Sequence, residues 1–150
     1  MESPLHITAE AYEQLQHVCR AAWPNEACGV LSASRPAHGG TPGPVNGVHP
    51  IPNASGRPER RFAFEPAAWI ETFYRIAKNR QTIAGFYHSH PSGSTLPSLA
   101  DAAGWPGSPN ASYWIVSLSG RDRGALIKAY LPQKDASGAL MFTQVSVQIA

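Results

Sequence analysis

The chain has 150 residues, 43% of them apolar, which suits one globular domain with its own core rather than a disordered segment. Twelve Lys and Arg against ten Asp and Glu leave a net charge of +2, too mild to argue for a nucleic-acid partner. No run of about 18 apolar residues occurs, so neither a spanning helix nor a membrane partner is expected. Met1-Glu2-Ser3-Pro4 lacks the basic and apolar regions of a secretory signal, so the expected compartment is the cytoplasm.

Residues 8–22 read as an amphipathic helix. Thr8 can cap it, Glu10 suits its first turn, and Ala11, Leu15, Val18 and Ala22 recur on one face. His17 lies beside that stripe and reads as structural or exposed. Trp23-Pro24-Asn25 ends the helix, because a residue before proline avoids the right-handed helical region. Residues 26–33 (EACGVLSA) form a short apolar strand candidate with Glu26 at its mouth. Taken alone, an acidic residue there is either a surface end or a placed carboxylate. Cys28 reads as a small buried hydrophobe. Cys19 and Cys28 do not form CxxC, and a chain without a signal is expected to keep both reduced.

Residues 34–60 are dense in Pro and Gly, the composition of loops and edge strands. Residues 45–52 can hold a strand and 53–58 a turn. His38 and His49 have no partner at ligand spacing. Arg57, Arg60 and Arg61, with Glu59 among them, form either a solvated loop face or an approach for an acidic partner. A short strand is expected over 61–64. Glu65-Pro66 then opens a second helix, with proline at its tolerated first position. Trp69, Phe73 and Ile76, with Ala77 alongside, are spaced for one buried face. Lys78 and Arg80 suit the negative end of the helix dipole, and Asn79 a left-handed cap.

Residues 82–87 (TIAGFY) are a continuous apolar run, the pattern of a central strand covered on both faces. That strand delivers His88-Ser89-His90 at its C-terminal end. Residues 91–97 form a Pro/Ser/Gly loop, and Pro97-Ser98 opens a short helix over 99–103. Residues 113–119 and 125–131 are two strands joined as a hairpin around 120–124, and 140–149 is a last strand. The order predicts an α+β single domain, a mixed β-sheet flanked by two main helices.

Residues two apart on a strand share a face, so His88 and His90 project together while Ser89 points away. Ser98 and Asp101, three apart, are neighbours on one side of a helix. Two His and one carboxylate bind Zn²⁺ and leave a position for water, the pattern of catalytic zinc. Each histidine alone is more often structural, and Ser98-x-x-Asp101 alone could be a helix cap with an acidic third residue. Their joint occurrence within fourteen residues points to a metal site.

The stretch from His88 to Asp101, with Glu26 upstream, resembles the JAMM/MPN (Mov34/MPN/PAD-1) zinc metalloproteases of the compact prokaryotic type. Their signature is a Glu followed by H-x-H-x(7)-S-x-x-D, and all five positions are matched here. The resemblance implies a cytidine-deaminase-like α/β/α layering. It also implies that His88, His90 and Asp101 ligate Zn²⁺, that Glu26 is general base toward the attacking water, and that Ser98 stabilises the oxyanion. A nucleobase deaminase is disfavoured because no P-C-x-x-C follows. The implied substrate is a peptide or isopeptide bond after the diglycine tail of a ubiquitin-like, sulfur-carrier protein. That tail could add as a strand beside residues 45–52. Two other readings stand beside it: a metal-dependent hydrolase of small peptides or amides without a protein partner, and a non-catalytic scaffold module. The scaffold reading is weak, because such members usually lose ligands and none is lost here.

Overall fold

A computed structural model describes residues 3–36, 40–97, 111–121 and 124–150. The described strands form one mixed sheet of eight. The chain order is β1 (Leu5–Ile7), α1 (Ala9–Ala22), β2 (Cys28–Ser34), β3 (Val45–Ile51), α2 (Pro66–Lys78), β4 (Gln81–His90), β5 (Ser112–Leu118), β6 (Ala125–Lys134), β7 (Leu140–Val145) and β8 (Val147–Ile149). Across the sheet the order is β7-β6-β5-β4-β2-β3-β1-β8. β4 runs parallel to β5 and antiparallel to β2.

The central strands are apolar on both faces because each face carries its own core. Leu31, Tyr87, Trp114 and Val116 pack with Leu15 and Cys19 of α1. Their chain neighbours Val30, Phe86, Tyr113 and Ile115 pack with Ile76 of α2. Alternation thus sends successive residues into different cores, and no polar stripe is left to read. This sheet with a helix on each face is the expected α+β fold.

Local chemistry sets the helix starts. Thr8 Oγ1 accepts the Ala11 amide at 3.1 Å. The Glu65 carboxylate accepts the Ala67 and Ala68 amides at 3.0 and 2.6 Å, with Pro66 next to it. α1 buries Ala11, Leu15 and Cys19 completely, whereas Val18 and Ala22 are only partly covered. The stripe therefore rotates toward Cys19, four residues after Leu15.

Four expectations are corrected. Residues 61–64 do not form a strand: Phe64 makes one isolated bridge to Asn53, and the Asn53 side chain takes the Arg61 carbonyl and the Ala63 amide that a ladder would use. α2 buries Thr72 and Ile76, while Phe73 is 47% exposed and meets Trp69 edge-on. The left-handed residue after α2 is Arg80 (φ 57°), not Asn79. Residues 140–149 are two strands, β7 and β8, at opposite ends of the strand order. Only Ser146 separates them, so the sheet curls until its two edges meet, and Ser146 accepts the Leu5 amide of β1 at 2.9 Å. β1, three residues long, had no sequence signal.

Candidate functional site

β4 carries His88 and His90 to the end of the sheet on the α2 face. Both are buried, and their Nε2 atoms approach to 2.7 Å. His90 Nδ1 lies 2.9 Å from the Ser94 carbonyl, which can only accept, so Nδ1 carries the proton and Nε2 presents its lone pair. The His88 ring is held between two aromatic walls. Phe62 stacks on it with centroids 4.7 Å apart, and Tyr113 with centroids 5.1 Å apart.

Glu26 comes from the mouth of β2, as expected, but it is no surface residue: it is 6% exposed. Its Oε1 lies 4.0 Å from His88 Nε2. The register explains the meeting. Cys28 pairs with His88 across β2 and β4, and two further bonds continue past the ladder. The Ser89 amide donates to the Ala27 carbonyl at 2.9 Å, and the Ala27 amide donates to Ser89 Oγ at 2.8 Å. Ser89, pointing away from the histidines, thus pins the residue next to Glu26. Burial, and then the nearby Glu26 carboxylate, push the Cys28 thiol up to about 12. Cys28 is accordingly a protonated, buried residue that donates to the Ile51 carbonyl at 3.3 Å.

A cleft of about 470 Å³ opens beside Glu26, lined also by Asn25, Pro50, Asn53 and Pro58. A larger cavity, about 830 Å³, lies at the other end of β4 against Thr82, Ile83 and Ala84, away from the histidines.

The remaining sequence-predicted residues divide. Ser98 and Asp101 lie outside the described residues, as does His38. His49 is placed away from the histidine pair, with Nε2 2.8 Å from Ser32 Oγ. Among the described residues no three His, Cys, Asp or Glu side chains complete a metal cage. The donor pair nonetheless fits one. Two imidazole nitrogens approach each other to 2.7 Å, one with its tautomer fixed by a carbonyl, and a carboxylate stands beside them. Sequence reasoning missed Phe62, Tyr113, Ser89 and Asn53 as supports. Only Asn53-x-Ser55 carried a signal, that of an Asx turn.

A family model described as prokaryotic homologs of the JAB domain matches residues 8–128. The chain belongs to that family. Among its JAB relatives, the desampylase of Haloferax volcanii is 32% identical over 125 residues, covering 79% of this chain and 84% of that one. A probable TtuB-protein conjugate cleaving protease from Thermus thermophilus is 29% identical over 89 residues, 59% of this chain and 54% of its own length. The solution structure of a Desulfitobacterium hafniense protein superposes with a TM-score of 0.72 at 25% identity, covering 97% of this chain and 94% of that one. A JAB1/MPN domain protein from Archaeoglobus fulgidus shares the fold at TM-score 0.57 and 18% identity, over 97% of this chain and the whole of that one.

Proposed function

We propose that this JAB-family protein is a Zn²⁺-dependent isopeptidase, one catalytic domain over residues 1–150. Its substrate is the bond after the C-terminal diglycine of a ubiquitin-like, sulfur-carrier protein. That the chain is a hydrolase acting on conjugates of ubiquitin-like proteins agrees with its family and with its relatives, a desampylase and a conjugate-cleaving protease. The observation that carries the site is the 2.7 Å approach of His88 and His90 Nε2, with Glu26 Oε1 4.0 Å from His88.

His88, His90 and Asp101 would hold the metal. When bound, it supplies a Lewis acid and lowers the pKa of a water to about 7. Glu26 takes the proton from the attacking water and returns it to the leaving amine. The Ser98 hydroxyl donates to the oxyanion of the tetrahedral intermediate, a contact typically worth roughly 3 kcal/mol. Phe62 and Tyr113 keep the His88 ring from rotating, so its nitrogen stays aimed.

The tail has a place to lie. β1 meets β3 only at Ile7 and Val45, so among the described residues the rest of that β3 edge has no strand partner. An extended glycine tail would add there, its backbone pairing with residues 46–51. Among the described residues no helix is long and apolar enough to cross a membrane.

The test compares a carrier–amino acid conjugate ending its carrier part in Gly-Gly with short Gly-Gly-X peptides. The expected result is cleavage of the conjugate at a far higher rate. Equal rates would favour the small-peptide hydrolase instead. Glu26→Gln is expected to retain zinc and lose turnover, and substantial residual activity would remove Glu26 as the base. Bound tail peptide is expected to slow amide exchange in residues 45–60, and unchanged exchange would remove the strand-addition site.

A further inference from the structure

We infer that Asn53 is a positioning residue for the general base, holding the Glu26 main chain in register with the histidines; this rests on reading Glu26 as the base. Two residues past β3, Asn53 uses its whole side-chain amide. Nδ2 donates to the Glu26 carbonyl at 3.0 Å and to the Arg61 carbonyl at 2.9 Å, with the Pro58 carbonyl at 3.4 Å. Oδ1 accepts the Ser55 amide at 3.0 Å and the Ala63 amide at 3.1 Å. Two donor hydrogens and two acceptor lone pairs are thereby all engaged.

The bonds to Ser55, Arg61 and Ala63 close a loop that a turn could close by itself. The bond to Glu26 does something else: it crosses 27 residues of sequence to a different segment. From the same loop the Pro58 carbonyl accepts the Glu26 amide at 2.6 Å. Glu26 stands two residues before the β2 ladder begins, so its main chain is gripped from this loop on both sides. The loop also carries Phe62, the ring stacked on His88. One amide therefore sets the base and one wall of the histidine pair together. Asparagine is the residue the position needs. An ionised Asp has no hydrogen to give to Glu26, and Gln is one methylene too long for both bonds to the loop.

The experiment measures Asn53→Asp and Asn53→Ala as zinc-loaded full chains, on a ubiquitin-like protein ending in Gly-Gly linked to a fluorogenic amide. A displacement of the base lowers kcat by about 10- to 100-fold, since misplacing a reacting group by about 1 Å has that effect. KM stays within about threefold and zinc stoichiometry stays that of wild type. The Glu26 amide exchanges with solvent at least about tenfold faster, while Phe86 and Ile115 in the core do not change.

Unchanged kcat, a loss of zinc, or faster exchange throughout the core would overturn the inference. So would failure of both variants to fold, since Asn53 would then serve the fold as a whole. Glu26→Gln is run beside them. If it stays active, the base assignment fails on its own, and the Glu26 amide alone decides Asn53: faster exchange sustains the positioning, and unchanged exchange ends it.

Discussion

Ala27 and Ser89 are joined twice, by a main-chain bond of 2.9 Å and by the Ala27 amide to Ser89 Oγ at 2.8 Å. The second bond is a side chain standing in for a ladder that has run out: β2 begins at Cys28, one residue later. It keeps Glu26 beside the end of β4. Ser89→Ala leaves the Ala27 amide without that acceptor in a part-buried setting, which typically costs about 1–3 kcal/mol. The expected outcome is a lower urea midpoint together with a fall in kcat at unchanged zinc content. Full activity in Ser89→Ala would show that Glu26 is placed without the Ser89 hydroxyl.

Gly29 sits where β2 crosses Tyr87. A Cβ there would overlap the His49 carbonyl oxygen and come within 2.5 Å of the Tyr87 ring. One of those atoms is backbone of the neighbouring strand and the other a ring 1% exposed in the core, so neither can swing away. Gly29→Ala is expected to destabilise by about 1–3 kcal/mol or more, as overpacking does. Chemical denaturation checks it, and a change below about 0.5 kcal/mol would mean that the two strands separate easily.

The parts of the fold legible in the sequence are those where one local rule acts alone. The apolar run before His88 gives a both-faces-covered strand, and the period of two then puts His88 and His90 on one side. Thr8 and Glu65 announce their helices because capping is a contact between near neighbours in the chain. Helical spacing shows which residues share a face, not where a core ends: Ile76 fills that place and Phe73 lies outside it. The sequence reads β7 and β8 as one strand because the break at Ser146 comes from the curl of the sheet, which leaves no trace in ten alternating residues. Asn53, Phe62 and Tyr113 reach Glu26 and His88 from distant segments, and nothing in their spacing announces it. The resemblance points to Glu26, His88 and His90, which the fold brings together, but it is silent on what holds them.

The two cysteines test the core on the α1 side of the sheet and the pocket beside Glu26 separately. Both are free and buried. Burial pushes the Cys19 thiol far up, and burial with the Glu26 charge takes Cys28 from 9.0 to about 12. That rise leaves Cys28 far less thiolate than an ordinary cysteine at pH 8, and thiolate is the reactive form. Iodoacetamide at pH 8 is therefore expected to leave both unmodified in the folded protein and to label both in urea. Fast labelling of Cys28 in the native chain would show that the site opens to solvent at that point.

His49 links acidity to stability away from the histidine pair. Burial, and then the Arg75 guanidinium, hold its pKa below the ordinary value, and its Nε2 meets Ser32 Oγ at 2.8 Å. Arg75 itself is drawn toward Glu71 at 3.7 Å, an exposed pair that screens it only weakly. In the window between the lowered folded pKa and the unfolded value near 6.5, the unfolded chain binds more protons. The contribution of neutral His49 is thus complete above about pH 6.5 and declines as the pH falls below it. His49→Gln removes that proton uptake and is expected to flatten the dependence of the urea midpoint between about pH 7 and 5. At equal metal content the difference between the two curves belongs to His49. Parallel curves would place the acid sensitivity elsewhere and return His49 to an ordinary, well-solvated histidine.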